Sequence, residues 1–309
     1  MKENSRLFII IVTYNGMQWI ERCLESCFSH EVIVVDNASS DGTCSFIKER
    51  FPNVILLEQM ENLGFGQANN IGIKYALKKG ADFVFLLNQD AYLNDGALEE
   101  LISTSLKYPD YGIVSPIHLD GPGSTIDRAF SGYLNYNANK DLLSDYILGR
   151  KIKVIYELPF INAAAWLLTR KCLEKVGGFD PLFFHYGEDL NFCQRVKYHN
   201  FKIGVVPHCF IQHDRDQRNT NRERYFKNRL LEEEVMSFKL RFSNILSKES
   251  SKEMDFFIEN KRKSMFKKLI AGKLEKYYHL KKLVKQLKIV APKVRYSYEN
   301  NKKVRLKFE

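Results

Sequence analysis

The first 115 residues alternate short apolar runs with helical patterns, and this alternation narrows the fold more than any other feature of the chain. Leu7–Val12, Glu31–Asp36, Val54–Leu57, Asp82–Leu87 and Gly112–Ser115 read as strands. Met17–Ser29, Gly42–Arg50, Gly66–Lys79 and Gly96–Lys107 read as the helices between them. Short buried strands separated by helices predict an α/β fold with a mostly parallel sheet and helices on both faces. In such sheets the ligand sits beyond the carboxyl ends of the strands. Thr13-Tyr14-Asn15, Asp36-Asn37 and Asn88-Gln89-Asp90 all fall at predicted strand ends. That edge is the expected site.

Further on, Ala163–Thr169 reads as a strand, Arg170–Val176 as a short helix stopped by Gly177, Glu188–Tyr198 as a helix and Lys202–Val206 as a strand. Residues 116–160 carry Gly121, Pro122, Gly123 and Gly132 and read as loops over the site. After Asn219 the pattern turns helical and basic. Leu269, Leu280, Leu283, Val284 and Leu287 interleave with lysines as in an amphipathic helix. Val294–Tyr298 and Val304–Phe308 alternate weakly, like strands. The division is therefore residues 1–220 as one catalytic domain and 221–309 as a basic, mainly helical extension.

Charge follows the same division. Residues 251–309 hold 18 Lys+Arg against 6 Asp+Glu, a net of +12, while the whole chain is +10. A basic tail of this kind seeks a polyanion, anionic lipid or nucleic acid. A solvated helix and a homodimer contact are alternative readings of it. No apolar run reaches the roughly 18 residues of a membrane helix. The six cysteines include no CxxC pair, and scattered thiols without an export signal predict a cytoplasmic protein, at the inner face of the membrane if the tail binds lipid.

The candidate chemistry lies in carboxylates and one histidine. Asp90 closes an apolar strand, where it can hold Mg²⁺ or Mn²⁺ against a diphosphate or simply cap a turn. Glu188 and Asp189 open a helix, where acids are favourable in any case, and where one can also take a proton from an acceptor hydroxyl. His213 lies 24 positions beyond Asp189 and is a metal ligand only if folding carries it to Asp90. Asp36 can accept from a base or ribose, or bond its own turn. Gly64, Phe65 and Asn69 belong to a glycine-containing loop opening a helix, a place that accepts phosphate, although the spacing is not GxGxxG. Tyr14 can stack on a base or pack on the sheet. The aromatics of Phe183-Phe184-His185-Tyr186 can line a sugar pocket or a core.

Five segments, IIIVTYNG, VIVVDNASSDGT, ENLGFGQANNIG, FVFLLNQD and KVGGFDPLFFHYGEDLNFCQR, followed by His213, occur in order across residues 9–213. Together they resemble the inverting family 2 glycosyltransferases with the GT-A nucleotide-diphospho-sugar transferase fold, and most closely their rhamnosyltransferase-like branch. The resemblance implies an enzyme that moves a sugar, from dTDP-rhamnose or a UDP-hexose, to a hydroxyl of a glycan or lipid-linked acceptor in polysaccharide biosynthesis. It implies that Thr13, Tyr14, Asn15, Asp36, Asn37, Gly64, Phe65, Asn69 and Asp90 bind the nucleotide sugar. It implies that Trp166, His185, Tyr186 and Glu188 line the acceptor or sugar pocket, that Asp90 and His213 hold Mg²⁺ or Mn²⁺, and that Asp189 is the base. Nucleic acid is not an expected partner. Three departures stand out: NQD replaces a DxD motif, Asn191 stands where an acid often recurs, and Ala163-Ala164-Ala165 replaces a glycine. Two rivals compete on the residues alone. One is nucleotidyl transfer on the same fold, for which Tyr14-Asn15-Gly16 lacks a basic glycine-rich loop. The other is a non-catalytic polyanion-binding protein.

Overall fold

The computed structural model describes residues 5–215, 229–249 and 251–303. The chain divides into two compact units, the first ending at Gln217 and the second running Arg218–Lys303.

The first unit is built on one nine-stranded sheet. Its strands are β1 Leu7–Thr13, β2 Glu31–Asp36, β3 Ile55–Glu58, β4 Phe83–Asn88, β5 Ala91–Leu93, β6 Tyr111–Leu119, β7 Tyr156–Glu157, β8 Ala165–Thr169 and β9 Lys202–His213. The order is β3-β2-β1-β4-β8-β6-β9-β5, with β7 alongside β9. Strands β3, β2, β1 and β4 are parallel to one another, and β6 and β9 are parallel. The reversed strand β8 joins the two groups. Since β8 runs against both β4 and β6, the carboxyl ends of β1, β2, β4, β6 and β9 share one edge.

Both faces of the sheet are covered. In β1, Phe8 and Ile10 point into one core and Ile9 and Ile11 into the other, all fully buried. The first core is closed by α3 (Phe65–Lys78), α7 (Arg170–Val176) and α8 (Glu188–Tyr198). The second is closed by α1 (Met17–Glu25), α2 (Thr43–Arg50) and α4 (Ala97–Lys107). Period-two side chains with no polar face are what a strand buried on both sides requires.

Several expectations change. Residues 116–160 are not only loops: β6 runs on to Leu119, and α5 (Arg128–Ser131), α6 (Lys140–Ile147) and β7 follow. The predicted strand Lys202–Val206 extends to His213, carrying that residue to the sheet edge. The short β5, which sequence patterning did not reveal, folds back along β9.

The second unit is helical: α9 Arg229–Phe242, α10 Ser251–Ile270 and α11 Leu274–Asn301. The strand expected at Val294–Tyr298 is part of α11 instead. From Leu287 onward its buried residues are Leu287, Ala291, Val294, Ser297 and Asn301, a spacing of three and four that only a helix produces. The strand expected at Val304–Phe308 and the boundary expected at residue 220 lie outside the described residues. No helix among the described residues is long and apolar enough to cross a membrane. All six cysteines are free thiols, and five are buried.

Candidate active site

Thr13, Asp36, Asn88 and His213 end β1, β2, β4 and β9 on the shared edge. Strand β5 sets Ala91 opposite His213, which brings the preceding Asp90 beside the imidazole. Asp90 Oδ1 lies 3.5 Å from His213 Nε2, and Asn88 Nδ2 lies 3.5 Å from the same nitrogen. The Asp214 backbone N–H donates to the Asp90 carbonyl at 2.8 Å, which fixes the approach. Both side chains are buried. Two residues 123 positions apart are thus brought together by register.

The residues expected to bind nucleotide divide into two kinds. Tyr14 is half-exposed at the end of β1 and offers an open ring. Asn15, at φ +48°, accepts from the Ser40 N–H at 2.8 Å and donates its own N–H to the Ser39 hydroxyl at 2.9 Å. Asp36 accepts the Ser39 N–H at 2.9 Å. These residues shape a turn lining the edge. Thr13 and Asn37 are buried braces. The Thr13 hydroxyl donates to Gln89 at 2.7 Å, and the Asn37 side chain receives the Leu63 N–H at 3.2 Å. Gln89 also receives the Tyr14 N–H, so the middle of the Asn88-Gln89-Asp90 motif clamps β1. Asn69 is a correction: it is buried and donates at 2.9 Å to the Phe65 carbonyl of its own helix, which removes its amide from ligand contact. Phe65 packs edge-on against Phe179, its ring half-buried.

Gly64 is required by geometry. Its φ is +79°, and a Cβ there would stand 2.0 Å from the Phe184 carbonyl oxygen. The loop before α3 therefore touches the loop before α8. Gly66 likewise faces Phe179 and Glu188.

Glu188 and Asp189 open α8 after two left-handed residues, Tyr186 and Gly187. Behind them Arg195 fixes the preceding loop, donating to the carbonyls of Val176 and Gly178 and to Asn191 Oδ1 at 3.0 Å. Asn191 suffices there because carbonyls already satisfy the guanidinium. Burial, reinforced by the Asp189 charge, pushes the Glu188 carboxyl up to about 7. Glu188 Oε2 finds no hydrogen-bond partner among the described residues. Burial also raises Asp189, although N–H groups of Leu190 and Ala163 and the Arg215 charge pull it down. His185 and Tyr186 are exposed beside this pair. Trp166 is a second correction: it is fully buried, stacked on Phe179 and tilted against Phe192, and belongs to the core instead of a sugar pocket.

Arg215 and Asp127 were not foreseen. Arg215 Nε lies 3.1 Å from Asp127 Oδ2 and 3.2 Å from His213 Nδ1, and its charge reaches Asp189. Its Nη2 is buried with no partner among the described residues. Asp127 also caps α5 through the Phe130 N–H. Next to it His118 stacks on Phe130, 5.8 Å from the His213 ring, and burial holds it well below the usual histidine range. The only sequence signal for Arg215 is its position two residues beyond a strand-end histidine, which is no motif.

Among the described residues no cluster of three or more His, Cys, Asp or Glu side chains forms a metal cage. Asp90 and His213 nevertheless suit a divalent cation that takes its remaining ligands from phosphate and water. They offer one carboxylate oxygen and one imidazole nitrogen, both already desolvated. Metal ligation needs the Nε2 lone pair, hence a proton on Nδ1; Arg215 can then rest on Asp127 alone.

Strand ends with braced turns, a carboxylate pair opening a helix and an Asp–His pair make up the candidate site. Residues 8–177 match the family described as Glycosyl transferase family 2, and the chain belongs to that family. It is an inverting glycosyltransferase with the GT-A fold, and rhamnosyltransferases are among its relatives. The N-acetylglucosaminyl-diphospho-decaprenol L-rhamnosyltransferase of Mycobacterium tuberculosis is 25% identical over 229 residues, covering 66% of this chain and 75% of that protein. The rhamnosyltransferase WbbL of Escherichia coli is 25% identical over 224 residues, covering 65% and 80%. The mannosyltransferase PcManGT of Pyrobaculum calidifontis, solved with GDP-Man and Mn²⁺, has a TM-score of 0.56 at 17% identity, covering 97% and 74%.

Proposed function

We propose that the sheet edge binds dTDP-rhamnose or a UDP-hexose and that Asp189 activates a hydroxyl of a glycan or lipid-linked acceptor. The observation that carries this reading is the Asp189 carboxylate at the start of α8, partly buried, raised by desolvation and within reach of the Arg215 charge that lies beside His213. Burial strengthens it as a base, and backbone N–H groups hold its direction. Asp189 accepts the acceptor proton while that oxygen forms a bond to the anomeric carbon. The bond from that carbon to the diphosphate breaks, and its electron pair leaves with the nucleoside diphosphate. One in-line displacement inverts the centre.

Asp90 and His213 would hold Mg²⁺ or Mn²⁺, which when bound offsets the diphosphate charge. Arg215, anchored by Nε, brings its positive charge to the same region. Tyr14, Asn15 and Asp36 meet the nucleoside, with Thr13 and Asn37 bracing them. His185, Tyr186 and Glu188 face the sugar or acceptor. Catalysis resides in the unit ending at Gln217. The mycobacterial relative, named for a decaprenol-linked substrate, supports a lipid-linked acceptor, and with it work at the inner face of an anionic membrane.

The test is a panel of sugar nucleotides with Mn²⁺, following release of nucleoside diphosphate. Release from dTDP-rhamnose or a UDP-hexose is expected from the natural chain and not from Asp189→Asn. Equal release by both would reject Asp189 as the base.

A further inference from the structure

The α10–α11 hairpin changes character toward its closed end. Away from this end the hairpin is a packed, tied structure. Met254 and Ile258 of α10 and Leu283 and Leu287 of α11 are buried. Glu234 of α9 receives Lys261 at 3.0 Å and lies 2.6 Å from His279 Nε2, linking all three helices. Toward the turn the packing stops. Phe266, Leu269 and Ile270 end α10, and Leu274 and Tyr278 begin α11; all five are exposed, Ile270 by 87%. The spacing sets the first three on one side of the last turns of α10, and the other two on one side of the first turns of α11. Gly272, at φ +67°, lets the chain reverse between them.

The charges around this apolar end are predominantly positive. Between Glu259 and Glu299 the only acid is Glu275, against 13 Lys+Arg. Lys267, Lys268 and Lys273 sit among the apolar residues themselves. A solvated hairpin end has no need of five large apolar side chains, and a protein interface core excludes lysine. An anionic bilayer surface takes both: apolar tips enter the acyl boundary, while long lysine stems bring their ammonium groups to the headgroups.

We propose that residues 266–278 form a membrane-docking tip that inserts Leu269, Ile270 and Leu274 into an anionic phospholipid surface, with Lys267, Lys268 and Lys273 against the headgroups. This rests on the lipid-linked reading of the acceptor for its purpose, but not for its physics.

The test uses the full chain and vesicles of phosphatidylcholine, with or without phosphatidylglycerol, at low and high salt. Co-sedimentation is expected with the anionic vesicles only, weakening with salt. Replacing Lys267, Lys268 and Lys273 by Gln should lower the binding constant by about a hundredfold, on the order of fivefold per lysine lost. Leu269→Ser, Ile270→Ser and Leu274→Ser together should abolish sedimentation while changing neither the melting temperature nor donor turnover. Equal binding to neutral vesicles, no binding to either, or unchanged binding by both variants would overturn the proposal. So would a dimer that the serine variant converts to monomer, or tighter binding to duplex nucleic acid than to vesicles. Asp189→Asn should still sediment. If no sugar nucleotide is turned over yet the tip binds vesicles, the functional reading fails and the docking tip stands.

Discussion

In β1 every residue from Phe8 to Ile11 is fully buried, while in α11 burial returns only every three or four residues and one side stays in water. The sheet unit has cores on both faces, so its polar chemistry is driven to the strand ends. The helical unit has a one-sided core, so its chemistry is a surface property. The same contrast appears in charge. Residues up to 250 sum to −2 and those beyond to +12. The site carboxylates Asp36, Asp90 and Glu188 of the sheet unit are buried and specific. Lysines of the helical unit are exposed and act in number. Damage to the first unit should therefore fall on single residues, and damage to the second should need several.

The largest effect should come from Asp189→Asn. Loss of a positioned base lowers turnover by about a thousandfold, within the range for general acid–base catalysis. Donor affinity, read by calorimetry, should hold, since Asp189 acts on the acceptor. A variant with near-normal turnover would break the view that one carboxylate in this unit is decisive.

Next in size is Asp90→Ala or His213→Ala. Removing one of two metal ligands should weaken Mn²⁺-dependent donor binding by about tenfold to a hundredfold. Either change should matter less without metal. Calorimetry with and without Mn²⁺ separates these cases, and unchanged affinity in both variants would reject a shared ion.

Gly64→Ala should cost stability on the order of 1–3 kcal/mol, because its φ of +79° strains any side chain and the new Cβ meets the Phe184 carbonyl. Thermal melting of the purified variant would show it. An unchanged midpoint would mean that the two loops separate freely, and that the edge is less rigid than its hydrogen bonds imply.

The contrast also explains what was legible. The strands of the first unit announced themselves as apolar runs, and the turn residues Thr13, Asp36 and Asp90 marked their ends. His213 was readable as a candidate, but its meeting with Asp90 depends on β5, three residues too short to pattern. Arg215 and Asp127 were invisible because the contact joins residues 88 positions apart through no motif. Trp166 misled because an aromatic in a strand reads equally as pocket or core. In α11, Val294, Tyr296 and Tyr298 mimicked a strand, since five residues cannot separate a period of two from 3.6. The longer record of Leu287, Ala291 and Val294 decides it.

The smallest effect distinguishes Glu188 from its neighbour. Burial, then the Asp189 charge, raises its carboxyl to about 7 in the folded chain, against about 4.3 for an unperturbed glutamate. A raised acid favours the folded state while protonated. That contribution is whole below the unfolded value and is lost as pH rises through about 7. The natural chain should thus lose about 2 kcal/mol of stability between pH 5 and pH 8 from this group alone. Glu188→Gln carries no such titration, so its unfolding midpoint should overtake that of the natural chain as pH rises. At pH 5 the two should differ little, since a neutral carboxyl and an amide occupy nearly the same space. Urea melts at both pH values give the comparison as a difference of differences, which cancels every titrating group not coupled to Glu188. Parallel curves would mean that Glu188 stays ionised throughout, held by a donor that reaches Oε2 in solution, and the buried-carboxylate account of this unit would need that donor.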